Sequence, residues 1–162
     1  MLDLSVQRIT TVTNLPSGAD FNQWLEAVVQ AVGQDKPGQR TLTLRIVDEA
    51  ESAQLNQQYR GKVGATNVLS FAADHDFPEG LPAEELATLY SLLGDLVICA
   101  PVVQDEAELQ AKPLQHHWAH MVIHGCLHLL GYDHIDPQQA VEMESEEIKI
   151  LAGFGIENPY IN

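Results

Sequence analysis

The stretch His124-Gly125-Cys126-Leu127-His128-Leu129-Leu130-Gly131-Tyr132-Asp133-His134 decides how this chain is read. Six of the seven histidines lie between His116 and His134, too tight a cluster for ordinary surface usage. His124 and His128 are four residues apart, so on a helix they project from one face, one turn from each other. Gly131 accepts positive φ and can end that helix. The chain can then reverse and return His134 toward the first two. Three imidazoles converging from a helix and the turn beyond it make an open metal site, with a fourth position left for water. Cys126 lies between the candidate ligands but about 200° around the helix from His124, which suits a small buried hydrophobe.

Upstream, the same helix is expected to run from about Leu114 to Leu130, with Pro113 at its first position. Trp118, Met121, Val122, Ile123, Leu127, Leu129 and Leu130 make it apolar on most faces, so it should pass through the core. His120, His124 and His128 then form a polar stripe down a buried helix. A lone histidine there would read as a hydrogen-bonded core residue; three in register, with a fourth just past the helix end, do not. His120 reads as a residue that packs or orients a ligand rather than as a fourth ligand. Asp133 is expected to hydrogen-bond a ligand or cap the turn, Tyr132 to pack, and His116 and His117 to lie on the surface. Downstream, Asp136-Pro137 with Gln139 at N3 opens a last helix. It is expected to turn Val141, Ile148 and Leu151 to the core and Glu142 and Glu146 to solvent.

The first half of the chain alternates strands and helices. Residues 2–13 alternate loosely and suit a strand. Phe21, Trp24, Leu25, Val28 and Val32 stand at helical spacing, with Asp20 as the expected N-cap and Gly33 beyond the end. Asp35 to Gly38 is a turn signal. Thr41 to Val47 alternates cleanly, placing Leu42, Leu44 and Ile46 on one face and Arg45 on the other with Thr41 and Thr43. Asp48, with Glu51 three residues on, has the pattern of a capping box. In the helix that follows, Leu55 and Tyr59 share one face, and Asn56 and Arg60 another. Lys62 to Ala65 reads as loop and Asn67 to Phe71 as a short strand. Residues 72–90 form a long polar connection, in which His75 reads as a solvated loop histidine before it reads as a ligand. Leu93 to Ala100 is a buried strand ended by Pro101, and a helix is expected from Val102 to Ala111.

A chain of 162 residues with 45% hydrophobic and 19% charged residues fits one soluble globular domain over 1–162. No basic segment followed by an apolar run opens it, no stretch is long enough to span a bilayer, and Cys99 and Cys126 are too few for a disulfide framework. A cytoplasmic protein is the expectation, with no membrane partner. The formal charge of −15 speaks against a partner bound chiefly through phosphates. Arg40, Arg45, Arg60 and Lys62 nevertheless fall in one short region, while Glu142, Glu144, Glu146 and Glu147 crowd a distant one. A local basic groove of Arg45, Arg60 and Lys62 is therefore expected.

Neutral imidazoles suit Zn²⁺, with iron, nickel or copper open from ligand type alone. A three-histidine site with water in the fourth position lowers the pKa of that water toward about 7, so hydrolysis of an ester, amide or phosphodiester is within reach. The spacing H-x3-H-x5-H also matches metzincin proteases, but these need a glutamate directly after the first histidine as general base. Here that position is Gly125.

The run from His124 to His134 resembles the signature of the YbeY family, metal-dependent endoribonucleases of ribosomal RNA maturation. Two further blocks resemble the family in the same order: Leu55-Asn56-x-x-Tyr59-Arg60 followed by Thr66-Asn67-Val68-Leu69-Ser70-Phe71, and Leu93-Gly94-Asp95-Leu96-Val97-Ile98. The likeness covers the chain from about residue 42 onward. Ala65 stands where a proline is common, and Asn67 where an aspartate is common. The resemblance implies an α+β fold, a small mixed sheet with packed helices. It also implies cleavage of single-stranded RNA near the 3′ end of small-subunit ribosomal RNA, with a role in ribosome quality control. It carries His124, His128 and His134 over as ligands of one Zn²⁺ and Arg60 as the catalytic or substrate-binding arginine, Arg45 and Lys62 remaining candidates for RNA contact. A guanidinium suits that role because it can clamp two non-bridging phosphate oxygens. The alternatives are a zincin-like metallopeptidase or amidase, and a non-catalytic factor of the small ribosomal subunit with a structural metal. A monomer is favoured. Attack by hydroxide and attack by the substrate's own 2′-hydroxyl both stay open.

Overall fold

The computed structural model describes residues 2–33, 40–73 and 77–161. The expected turn at Asp35 to Gly38 and the histidine His75 lie outside those residues. The elements follow the order β1 (Leu2–Arg8), α1 (Gly18–Val32), β2 (Arg40–Val47), α2 (Glu49–Arg60), β3 (Val68–Ala72), α3 (Ala83–Tyr90), β4 (Leu92–Cys99), α4 (Ala100–Leu109), α5 (Leu114–Leu129) and α6 (Pro137–Ala152). Four strands form one sheet in the order β1-β2-β4-β3. β1 pairs parallel with β2 and β2 with β4, while β3 runs antiparallel to β4 and forms an edge. This is the α+β fold with a small mixed sheet that the family resemblance implies.

Strand alternation divides the core. Leu42, Leu44, Ile46, Leu96 and Ile98 are fully buried against the helices α1 and α5, in one large apolar cluster with Phe21, Trp118, Ile123 and Leu127. Val47, Leu69 and Val97 face the other way and meet Leu55 of α2. Helix α5 lies on β3 and β4 and touches α1, α4 and α6, so it is the hub of the packing. Two glycines make that packing close. A Cβ on Gly125 would stand 2.9 Å from both Leu96 Cδ2 and Val68 Cγ2, so the helix rests its backbone on the sheet there. Gly94 has φ 134°, and a Cβ on it would come 2.2 Å from the Phe71 carbonyl; the β2–β4 register shifts beside it. No helix among the described residues is long and apolar enough to cross a membrane.

Several local expectations change. Ser17, not Asp20, is the N-cap of α1, and Asp20 is its N3 partner in a capping box. Asp48 occupies the N-cap of α2 but makes no cap bond; its carboxylate accepts from the Thr10 hydroxyl and from the Thr11 backbone at 3.1 Å, tying the β1 exit to the start of α2. Pro113 precedes α5 as its N-cap rather than opening its first turn. The 72–90 connection holds the helix α3, a short helix with no buried residue. In α6 the capping box of Asp136 and Gln139 forms as expected, but the buried face is Met143, Glu147, Ile150 and Leu151, while Val141 is 64% exposed. That one-face rotation puts a carboxylate in the core.

Candidate metal centre

The geometry of α5 and the turn after it brings His124, His128 and His134 together. One ligand atom from each lies within 4.8 Å of the others. Gly131, at φ 98°, makes the reversal that the sequence requires of it. The ring of His128 is oriented by its own turn: Nδ1–H donates to the Tyr132 carbonyl at 2.9 Å, because a carbonyl can only accept. The ring of His124 is oriented from α6, where Nδ1–H donates to Oε1 of Glu147. Both rings therefore hold their proton on Nδ1 and leave the Nε2 lone pair for a ligand. Burial, and then the charges of His124 and His134, push the His128 pKa below its ordinary value and favour the neutral form that binds metals. The donor set fits a divalent ion such as Zn²⁺ with a coordination position left open.

Asp133 caps the turn rather than holding a ligand ring. Its Oδ1 accepts from the backbone N–H of His134 at 2.7 Å, and stands 3.9 Å from the His134 Nδ1.

The three histidines line one end of an open cleft of ≈ 910 Å³, with the edge strand β3 along its floor and Tyr59 and Arg60 from the end of α2 on its rim. Arg60 is exposed and is the one arginine or lysine among the lining residues. The expected groove of Arg45, Arg60 and Lys62 does not form. Arg45 alternates with Leu44 and Ile46 along β2, so it leaves the sheet on the face away from α5. There it is held by Glu51, at 2.8 Å from Nη2, and by Gln7, at 2.9 Å from Nη1. Glu51 is thus spent on Arg45 instead of on a capping box. Lys62 is exposed beyond the left-handed turn at Gly61 and does not line the cleft.

Around α5 on the inner side lies a polar network that the sequence reading missed. Glu147 has no exposed side-chain surface. Its Oε1 accepts from His124, and its Oε2 accepts from the hydroxyl of Tyr160, on the segment after α6. His120 Nε2 approaches that hydroxyl at 3.3 Å and Glu147 Oε2 at 3.6 Å, so His120 is joined to the site through the network and not as a ligand of the first three. Burial alone would raise the Glu147 carboxyl, but His120, His124 and Tyr160 outweigh it and hold it at about 2. A second grouping of ligand atoms, His120, His124 and Glu147, shares His124 with the first. In it the His124 Nδ1 already carries the proton given to Glu147, and the Tyr160 hydroxyl contacts both of the other two.

His117, placed on the surface by the sequence reading, is 2% exposed; its Nε2 meets Glu106 Oε1 at 2.9 Å. Asn67 Nδ2 reaches both oxygens of that Glu106 at 3.2 Å. An aspartate at 67 would set two carboxylates against each other, so the asparagine is suited to this neighbourhood. For Glu147 a signal existed in the sequence: Met143, Glu147, Ile150 and Leu151 share a helical stripe. For Tyr160 there was none.

The family model described as Endoribonuclease YbeY matches residues 7–155. A Methylococcus capsulatus protein named Endoribonuclease YbeY is 52% identical over 160 residues, covering 99% of this chain and 96% of its own length. One from Halorhodospira halophila with the same name is 51% identical over 98% of this chain and 96% of its own. One from Coxiella burnetii, again so named, is 47% identical over 99% of both. Among solved structures, the solution structure of a Thermotoga maritima protein is similar with a TM-score of 0.51 at 20% identity, covering 97% of this chain and 99% of that one. That likeness speaks for the fold.

Proposed function

The chain belongs to the YbeY endoribonuclease family, and on that premise we propose that it is a metal-dependent, single-strand-specific endoribonuclease. Its substrate in this reading is ribosomal RNA near the 3′ end of the small-subunit species, its setting the cytoplasm, and its role maturation and quality control of the small ribosomal subunit. It works as a monomer with one Zn²⁺. The observation that carries the reading is the convergence of His124, His128 and His134 at one end of a cleft that Arg60 also lines.

When bound there, the ion supplies a Lewis acid next to the scissile phosphodiester. The chain's own residues do the rest. Glu147 and the Tyr132 carbonyl keep the protons of His124 and His128 on Nδ1 and aim Nε2 at the cleft. Arg60 offers paired N–H donors to non-bridging phosphate oxygens, where negative charge grows in the transition state. The edge strand β3 and Tyr59 give a strand of RNA a floor and an aromatic surface beside those donors. In an acidic protein, such contacts have to stand in for a basic groove.

Gly125 argues against the peptidase alternative. The position where a zincin carries its general base is packed between Leu96 and Val68 with no room for a Cβ. A ribosome-bound factor with a structural metal would have no use for an arginine on the rim of an open metal cleft. Cleavage of ribosomal RNA by wild type and by Arg60→Glu, each with its zinc content measured, tests the proposal. The variant is expected to keep its zinc and lose cleavage by about 10²–10³-fold, the cost of removing one donor to transition-state charge. Full cleavage by the zinc-loaded variant would remove Arg60 from the mechanism, and no cleavage by wild type would remove the enzyme.

A further inference from the structure

Glu147 is a fully buried carboxylate, and a group of that kind is tolerated only where hydrogen bonds replace its water. It has two such bonds, and they come from different parts of the molecule. One oxygen takes the Nδ1 proton of His124; the other takes the hydroxyl proton of Tyr160. Tyr160 is brought there by a segment that leaves α6 and folds back. The Ile156 N–H bonds to the Leu151 carbonyl at 3.1 Å, and Lys112 Nζ holds the Pro159 carbonyl at 3.1 Å. The Asn158 side chain takes the backbone N–H of Tyr160 at 2.8 Å. Two anchors to the rest of the chain and one internal turn bond on six residues are more than a trailing end needs. Tyr160 also lies beyond residue 155, where the family match ends.

We propose that Glu147 and Tyr160 are positioning residues of the metal centre, so that the C-terminal segment 156–161 tunes metal affinity through the ring of His124. The inference rests on the reading of His124 as a ligand. Tyr160 fixes the second oxygen of Glu147 and thereby the direction of the first. Glu147 in turn decides which nitrogen of His124 bears the proton and which faces the cleft, and its charge makes the ring a stronger donor. His120 completes the chain: its Nε2–H points to the Tyr160 oxygen, which leaves the hydroxyl proton for Glu147. Tyr160 touches neither the substrate cleft nor the ligand ring system's open side, and it is absent from the residues that line the cleft.

The test uses the full chain as wild type, Tyr160→Phe and Glu147→Gln. Zn²⁺ affinity is measured by competition with a chromophoric chelator, and the histidine tautomers of the metal-free proteins by long-range ¹H–¹⁵N correlation spectra. Glu147→Gln is expected to weaken binding about 10–100-fold and Tyr160→Phe by about 10-fold, as outer partners of ligating histidines do. In both, His124 should change from a single Nδ1–H form to a mixture, which a merely structural role would leave alone. If Glu147→Gln does not fold, Tyr160→Phe, which removes one hydroxyl, decides the matter. Wild-type affinity in the variants with an unchanged His124 tautomer overturns the inference while leaving the metal centre intact. A wild-type protein that binds no Zn²⁺ overturns the ligand reading of His124, and the inference with it.

Discussion

The two ends of α5 carry histidines of the same chemistry in different surroundings. At the inner end, His117 and His120 are buried, and their partners are Glu106 and the Tyr160–Glu147 pair. At the outer end, His124 and His128 are half-buried and His134 is exposed, with one nitrogen on each of the first two turned to a fixed acceptor and the other left to the cleft. An imidazole bonded through one nitrogen, with the other enclosed in the core away from the cleft, as at His117 and His120, is a structural link. An imidazole held by one nitrogen at the mouth of a cavity is a ligand in waiting. Residue type and helical spacing are equal along the helix, so the partner and the exposure make the distinction.

The comparison breaks if the two ends respond alike to alanine. His128→Ala is expected to abolish stoichiometric Zn²⁺ binding and RNA cleavage while leaving the metal-free fold close to wild type. His117→Ala should do the reverse. It strips Glu106 of a buried partner, so a loss of about 1–3 kcal/mol in unfolding free energy is expected, with the zinc stoichiometry unchanged. Metal analysis beside chemical denaturation reads both quantities on the same preparations. Loss of zinc in His117→Ala, with the fold retained, would merge the two ends into one site.

Between the ends sits Gly125, where the helix backbone rests on the sheet. Gly125→Ala would set a Cβ 2.9 Å from both Leu96 Cδ2 and Val68 Cγ2. Relief requires the Leu96 and Val68 side chains to shift or α5 to lift from β3 and β4, and overpacking of this kind costs about 1–3 kcal/mol. His124 precedes the contact and His128 follows it by three residues, so the lift also moves the ligands relative to β3. Zinc affinity should therefore fall with stability in this variant, whereas in His117→Ala the two should separate. Denaturation midpoints and chelator competition together check it; unchanged stability would mean the helix has room that the geometry denies.

Much of this was legible because helical spacing and strand alternation are strong signals. The order of strands and helices apart from α3, the passage of α5 through the core, the reversal at Gly131 and the α6 capping box follow from residue patterns alone. Arg45 was the instructive failure. Alternation already placed it opposite Leu44 and Ile46, and the core helix had to lie on the leucine face, so a groove combining it with the histidines was excluded by a pattern in plain view. Glu147 was hidden because a glutamate in a Glu-rich helix reads as solvated; only the stripe of Met143, Ile150 and Leu151 around it says otherwise. His117 was misplaced because its partner, Glu106, lies on another helix. Tyr160 reaches Glu147 through a tail whose path no local rule predicts.

The smallest expected effect sharpens the comparison by pH. In the metal-free protein Glu147 lies at about 2 against an ordinary 4.5. The unfolded state therefore binds more protons than the folded state between those values, and stability from this group, fully present above 4.5, is lost as pH falls toward 2. His120 and His128 are also lowered, from 6.5, chiefly by burial. For a base this sign means that the unfolded chain protonates first, so stability begins to fall as pH drops below 6.5. Glu147 then shares the acid window with Asp20, Asp48, Glu51 and Glu106, which their hydrogen-bond partners also lower, while the near-neutral window belongs to imidazoles from both ends. Glu147→Gln should make the first shallower and, because Glu147 favours protonated His120, steepen the second; His128→Ala should weaken only the second. Denaturation of the metal-free variants across pH 2–7 separates these slopes, and a Glu147→Gln profile that still falls as steeply below 4.5 as wild type would assign the acid loss to other carboxylates.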